Sequence, residues 1–506
     1  MKTELKKLQA IDKEIKTLEG TVSLLSWDQE TYMPGKGIET RSKQSAIIQK
    51  IIHEKQTSVE VARLLEDLES IEGTNTSDSS LSVIEQAFLR QFKRKYQREI
   101  KLTSEFVSNY AETISMAQST WVEARTKNSF KLFSPHLQKV LNLTREKAEL
   151  IGYADHPYDA LIDEYEPGMT TDKTVKIFTK LKQQLTQLTH KISQAPVIDD
   201  RFLKESYPVD RQKGFSLMLL EDLGYPFDRG RLDTSAHPFT ISLGSDDVRI
   251  TTRYIEHLIK SSIFGTIHEC GHGLYELGMG EGIKNSILAE GASLGIHESQ
   301  SRTWENIIGR SFAFWKFYFP KLKALFPERL SKIELESFYK AINKSESSLI
   351  RVEADEVTYG LHIILRFEIE LQLISGALKV EDLPEVWNHK TEELFGIKPD
   401  TDANGVLQDV HWSIGIFGYF PTYALGNLYG AQFFEAMKKE IPDIDNKIEA
   451  GDFKILLNWY RENIHQHGSV YTANELCFRA TGEELTADYF MDYLTKKYSE
   501  IYHLPG

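Results

Sequence analysis

Ile267-His268-Glu269-Cys270-Gly271-His272 is an H-E-x-x-H run set in a segment with helical spacing. Leu258, Ile259, Ile263, Ile267, Leu274 and Leu277 recur at that spacing, and Gly278 with Gly280 supplies a stop. Residues four apart on a helix lie one above the other. His268 and His272 would therefore offer two imidazoles to one metal ion, with Glu269 one position around the cylinder. Zinc accepts such donors, and a neighbouring carboxylate can take a proton from a water that the ion acidifies. The competing reading is a helix whose two His merely face the same way, so the surroundings decide.

Immediately upstream the texture changes. His237-Pro238-Phe239-Thr240-Ile241-Ser242-Leu243, the turn Gly244-Ser245-Asp246-Asp247, and Val248-Arg249-Ile250-Thr251-Thr252-Arg253-Tyr254 predict a β-hairpin over about 237–254 that leads into the metal helix. A strand edge beside a metal can hold a peptide extended through backbone hydrogen bonds. Elsewhere the signal is helical. Leu5, Leu8, Ile11, Ile15 and Leu18 mark an amphipathic helix, and helical pattern runs from Leu81 to about Thr126 after the loop-like Gly73–Ser80. Further helices are expected between breaks at Pro135, Pro157, Pro167, Pro196 and Pro208, and again downstream to Tyr498. The fold class is mainly α with a small β-sheet.

The 506 residues carry a net charge of −14, which argues against a nucleic-acid backbone as partner. The basic run Lys93, Arg94, Lys95, Arg98 and Lys101 reads as a solvated helix face rather than a polyanion site. No run of 18 apolar residues exists, so no membrane partner is expected. Two cysteines, Cys270 and Cys477, make no disulfide framework, and the first residues have no apolar signal core; a cytoplasmic location is expected.

A catalytic zinc needs three protein ligands and an open position. Downstream of His272 the candidates are Glu276, Glu281, Glu290, His297 and Glu298. Glu276 continues the same helix face beyond the metal and cannot easily fold back. Glu290 and Glu298 lie past the next turn, and the polar cluster His297-Glu298-Ser299-Gln300 within an apolar segment favours Glu298 over Glu290.

Six motifs then appear in order: His237-Pro238-Phe239; Asp247-x-Arg249-x-Thr251; His268-Glu269-x-x-His272; His297-Glu298-Ser299-Gln300; Ile350-Arg351-x-x-Ala354-Asp355; and Gly405-x-x-Gln408-Asp409-x-His411-Trp412. In this the chain resembles the Taq metallocarboxypeptidases, peptidase family M32. Trp27-Asp28-Gln29 and Ile464-His465-Gln466-His467-Gly468 extend the likeness to nearly the whole chain.

The resemblance implies Glu298 as third ligand, and a single fold with a saddle- or clam-like helical body and a deep groove. Helices of residues 1–125 would wall that groove, and 126–506 would form the catalytic body with the metal site at 268–298. It also implies a homodimer, and zinc replaceable by cobalt. The reaction expected is removal of single C-terminal residues from peptides with a free C-terminus. Glu269 would be the proton acceptor, and His237, His411, Tyr419 and Tyr423 candidates for the oxyanion. Arg351 is the first choice to bind the terminal carboxylate, with Arg249 as runner-up. Gln408, Asp409 and His411 would line or brace the groove, one of them orienting a metal-bound imidazole. Arg351 paired structurally with Asp355 is the competing reading. At the level of function, the rivals are an oligoendopeptidase on the same scaffold and a helical scaffold protein with a relic site.

Overall fold

The computed structural model describes residues 2–72 and 81–504, so the loop expected over Gly73–Ser80 lies outside the described residues. The helix Ile259–Leu277 forms where the motif predicts it. It buries Ile259, Ile263, Phe264, Ile267, Leu274 and Leu277, so its apolar residues drive it into the interior while the two His stay half-buried. Around it, helices follow one another from Lys2 to Tyr502, and one continuous apolar core runs from Leu5 to Tyr502.

Among the described residues three strands form a single sheet: β1 (Gly230–Thr234), β2 (Thr240–Gly244) and β3 (Asp247–Thr252), in the order β1-β3-β2. The hairpin is β2–β3, antiparallel, with Thr240 opposite Ile250 and Ser242 opposite Val248. β1 pairs parallel to β3, and sequence reading did not foresee it. Its residues, Gly-Arg-Leu-Asp-Thr, show no β alternation, and the polar Asp233 is the buried one. Asp233 is satisfied there by Arg231 Nε (2.6 Å) and Tyr32 Oη (2.6 Å). β2 is an edge strand. The helix Lys2–Thr31 lies against it so closely at Gly20 that a Cβ would collide with the Leu243 carbonyl, whereas the Thr240 end faces the metal helix.

Two expectations change in the first half of the chain. Pro135 does not break a helix but sits within Phe130–Ile151, where Ser134 Oγ approaches the Lys131 carbonyl (3.4 Å) that the proline ring leaves without its N–H donor. The basic run is spent on partners across helices rather than left in solvent. Arg94 and Arg98 both reach Asp163 (2.9 and 3.1 Å), Lys95 reaches Glu19 (2.8 Å), and Lys101 donates to the Ile151 carbonyl (2.5 Å). Lys16–Glu290 and Asp12 accepting from Ile287 N (2.9 Å) tie the first helix to the segment just before Glu298.

Candidate metal centre

His268 Nε2 and His272 Nε2 lie 3.7 and 3.3 Å from Glu298 Oε2, and the ligand atoms of the three residues all fall within 4.8 Å of one another. The two imidazoles stand edge to face, 4.9 Å apart at 82°. Glu298 arrives on the next helix, Leu294–Arg302, whose first turn is capped by Ser293 Oγ accepting from Ile296 N (3.1 Å). Close packing sets its depth. At Gly271, inside the H-E-x-x-H run, a Cβ would lie 2.7 Å from both Gln300 O and Ser301 Cα. From the other side, a Cβ at Gly426 on Phe420–Glu440 would lie 2.6 Å from Glu298 Cγ.

The donor set fits a divalent ion. Each imidazole has its Nδ1 occupied from behind, His268 by Glu305 Oε2 (2.9 Å) and His272 by His297 Nδ1 (2.6 Å). Each Nε2 is thereby aimed at the carboxylate. Arg302 Nε (2.7 Å) holds the other oxygen of Glu298, and Ser301 Oγ (2.9 Å) steadies Oε2. Two imidazole nitrogens and one carboxylate oxygen make a three-ligand set that catalytic zinc uses. Burial, with the His297 and His268 rings adding to it, pushes His272 down to about 3, which keeps it a neutral donor. Burial opposes a charge on Glu298 as well, but Arg302 and the two imidazoles outweigh it and hold its carboxyl well below the usual range.

Glu269 is buried beside this cluster, and its Oε2 accepts from Thr240 Oγ1 (2.7 Å) at the open end of β2. Burial raises its carboxyl above the ordinary value. A carboxylate made more basic in this way is a better proton acceptor near neutral pH.

The residues expected to bind substrate fall into two places. Arg351, Tyr419, Tyr423, Gln408, Asp409 and His411 come together. Arg351 places Nε and Nη2 each 2.9 Å from Asp409 Oδ1, donates to Tyr359 Oη (3.2 Å), and lies over the Tyr423 ring (5.2 Å). The partner of Arg351 is thus Asp409 and not Asp355, which instead braces its own loop through Val357 N (2.9 Å) and Thr358 Oγ1 (2.8 Å). Asp409 Oδ2 also takes Arg366 Nε (2.6 Å). Gln408 Oε1 accepts from Arg351 N (3.0 Å) and Arg366 Nη2 (2.7 Å), so it braces both arginines. His411 Nε2 stands 3.5 Å from Tyr423 Oη, and Tyr423 and Tyr419 meet edge to face at 5.1 Å. Burial pushes His411 down to about 4, so it is neutral.

Arg249 and His237 sit elsewhere. Arg249 is bound by both carboxylate oxygens of Asp247 (2.8 Å each) and lies 4.3 Å over Trp27, which also has Arg231 5.0 Å from its ring centroid. That accounts for Trp27: it docks the first helix on the sheet. His237 is exposed in the turn before β2, its carbonyl accepting from Ser235 Oγ (2.7 Å).

Neither Gln408, Asp409 nor His411 braces the imidazoles; Glu305 and His297 stand in that position. Glu305 belongs to a π-helical stretch, Thr303–Ile308, that continues the Glu298 helix. Arg302 and Glu305, four and seven residues beyond Glu298, were legible as charged positions on a largely buried helix face, and that spacing was the signal missed.

A mainly helical body carrying a two-His, one-carboxylate cluster with a second carboxylate beside it is the arrangement of a helical metallopeptidase. A profile of the Carboxypeptidase Taq (M32) metallopeptidase family matches residues 7–498, and the chain belongs to that family. It is similar to Carboxypeptidase 1 of Bacillus subtilis (strain 168), 41% identical with 97% of each chain covered. It is likewise similar to Thermostable carboxypeptidase 1 of Thermus thermophilus, 43% identical over 95% of each. The crystal structure of the M32 carboxypeptidase from Deinococcus radiodurans R1 superposes with a TM-score of 0.96 at 36% identity, covering 99% of this chain and 100% of that one. The chain is accordingly a metal-dependent carboxypeptidase acting on peptides. Among the described residues no helix is long and apolar enough to cross a membrane.

Proposed function

We propose that His268, His272 and Glu298 hold one zinc ion, replaceable by cobalt, and that the chain removes single residues from free peptide C-termini there. The observation that carries this reading is the convergence of three ligand atoms within 4.8 Å, with the buried Glu269 alongside. Bound by these donors, the ion would acidify a water and polarise the scissile carbonyl. Glu269 takes the proton of the attacking water on its carboxylate and hands it to the leaving amine as the C–N bond breaks. The Thr240 end of β2 offers backbone groups to the extended peptide, and Tyr419, Tyr423 and His411 face the oxyanion.

Arg351 receives the terminal carboxylate. Arg351 and Arg366 share one carboxylate, Asp409, and His411 is neutral, so this buried cluster keeps one positive charge in surplus. A substrate carboxylate would compensate it. Arg249, tied to Asp247 and Trp27, serves the docking of the N-terminal helices instead, and those helices wall the groove. Two buried free cysteines fit a reducing cytoplasm. Ile47 and Ile51, one turn apart and exposed on Ile38–Gln56, offer an apolar patch for a homodimer.

One preparation tests the reaction: a peptide and its C-terminally amidated twin are digested, with metal content measured in parallel. Single residues released from the free acid alone, with about one divalent ion per chain, are expected. Equal cleavage of both peptides would identify an oligoendopeptidase, and protein without chelator-sensitive hydrolysis a scaffold.

A further inference from the structure

Behind His272 the structure continues a chain of hydrogen bonds that the reaction as described does not use. His297 Nδ1 lies 2.6 Å from His272 Nδ1, and His297 Nε2 lies 2.7 Å from Glu276 Oε1. For a neutral His297 and an ionised Glu276, one proton arrangement satisfies all of these atoms. The carboxylate can only accept, so His297 carries its proton on Nε2. Its Nδ1 is then a bare acceptor, and His272 must donate from its own Nδ1. That leaves His272 Nε2 unprotonated, facing Glu298 Oε2 at 3.3 Å. We infer that Glu276 and His297 are positioning residues for the metal: they fix the tautomer and orientation of the His272 ring.

The inference rests on the proposed metal centre and deepens it. The sequence offered Glu276 and His297 as direct ligands. Glu276 lies one turn beyond His272, on the same face of Ile259–Leu277, and cannot reach the ion; through His297 it need not. His268 is served differently, by Glu305 in a single step, so the two imidazoles have separate supports. The outer end of the relay opens on a cavity of about 550 Å³ lined by Glu276, His297, Gly291, Ser293, Tyr165 and Arg98. Substitutions at Glu276 therefore have room, which makes the tautomer testable without disturbing the core.

The test measures Zn²⁺ affinity by competition with a chelator, and the melting temperature of the metal-free protein, for a series at Glu276 together with His297→Ala and His268→Ala. His297→Ala should weaken Zn²⁺ binding by about 10- to 100-fold while the metal-free protein melts as the parent does. Glu276→Gln keeps an accepting oxygen and should have the smallest effect; Glu276→Ala should fall between. Glu276→Lys can only donate, forcing the His297 proton to Nδ1 and the His272 proton to Nε2, and should be the worst of the three. Glu281→Ala, an exposed carboxylate on Lys284 (2.7 Å), is the control and should change nothing. If His268→Ala abolishes metal binding while His297→Ala and Glu276→Lys stay within about twofold of the parent, the relay is refuted and the metal centre stands. If His268→Ala leaves Zn²⁺ affinity intact, the centre itself is misassigned and the relay falls with it. A Lys variant that binds as well as the Gln variant would overturn the tautomer argument even if His297→Ala behaved as expected.

Discussion

Gly426→Ala should remove most of the activity while costing little stability. In the folded chain its new Cβ would meet Glu298 Cγ at 2.6 Å and Glu298 Cβ at 2.8 Å, roughly 1 Å short of an ordinary carbon–carbon contact of about 3.5–4.0 Å. Alanine is a better helix former than glycine by about 1 kcal/mol, and overpacking costs about 1–3 kcal/mol, so the net destabilisation is of order 0–2 kcal/mol. The same displacement acts on the third ligand directly. A misplacement of about 1 Å at a catalytic group can cost on the order of 10²-fold in rate, far more than the stability change would suggest. Thermal unfolding of the metal-free protein, Zn²⁺ affinity by chelator competition and kcat/KM on one free-acid peptide separate the effects. Gly271→Ala presses the same helix from the opposite side, on Gln300 O and Ser301 Cα at 2.7 Å, and should couple non-additively with Gly426→Ala. If Gly426→Ala retains both parental Zn²⁺ affinity and kcat/KM, the helices yield without moving Glu298 and the packing argument is wrong.

Glu269→Gln should keep its metal and lose turnover by about 10²–10⁴-fold or more, since the ligands stay and the proton acceptor goes; metal analysis beside single-turnover kinetics checks it. Arg351→Ala should weaken free-acid substrates by about 2–5 kcal/mol in kcat/KM and leave amidated peptides nearly unaffected. A pH-dependent stability follows from Glu166, whose carboxyl burial pushes up to about 7. The native state keeps this proton up to about 7 while the unfolded chain releases it near 4.5, so the native state binds more protons in between. Its contribution is absent below the unfolded value, grows more unfavourable as pH rises through that window, and levels off above it at an order of 3 kcal/mol. Glu166→Gln keeps an oxygen for Gly295 N and Thr422 Oγ1, and should flatten this part of the stability profile in denaturant titrations at several pH values. A profile parallel to the parent's would show that Glu166 is not the group responsible.

What the sequence made legible was whatever depends on local period. The helix Ile259–Leu277 and the hairpin follow from spacings of four and two; the polarity of its segment only favoured Glu298 over Glu290, and the family resemblance made the choice. What stayed hidden depends on chain crossings. β1 carries no alternation because its buried position is an ion-paired Asp233. Arg351 finds Asp409 across 58 positions of chain rather than its near neighbour Asp355. Gly271 is a similar case. Within H-E-x-x-H it occupies one of the two unspecified positions, and only the approach of the Leu294–Arg302 helix shows why a larger residue would collide there. The basic run after Gln91 misled for the same reason. Charge density along one helix says nothing of the acidic residues that other helices bring to it, here Glu19, Asp163 and Glu164.

The charge arithmetic around Arg351 bears on why such a centre should act at chain ends. Asp409 is held well below the usual carboxylate range: burial opposes its charge, but Arg366 and Arg351 prevail. It is therefore ionised at any pH the enzyme meets, yet it can neutralise only one of its two guanidiniums. A buried uncompensated charge is costly, and a ligand bringing the opposite charge recovers that cost on binding. A peptide with a free C-terminus brings it; an internal peptide bond placed at the same depth brings only neutral amides and leaves the surplus unpaired. If Arg351 receives the terminal carboxylate as proposed, selectivity for chain ends arises from rejection of the wrong substrate as much as from attraction of the right one. On this account, Asp409→Asn should leave two unneutralised guanidiniums, impair folding, and be partly rescued by added carboxylate anions such as acetate. Rescue by chloride to the same extent would show ordinary screening, and the surplus charge would lose its role in choosing substrates.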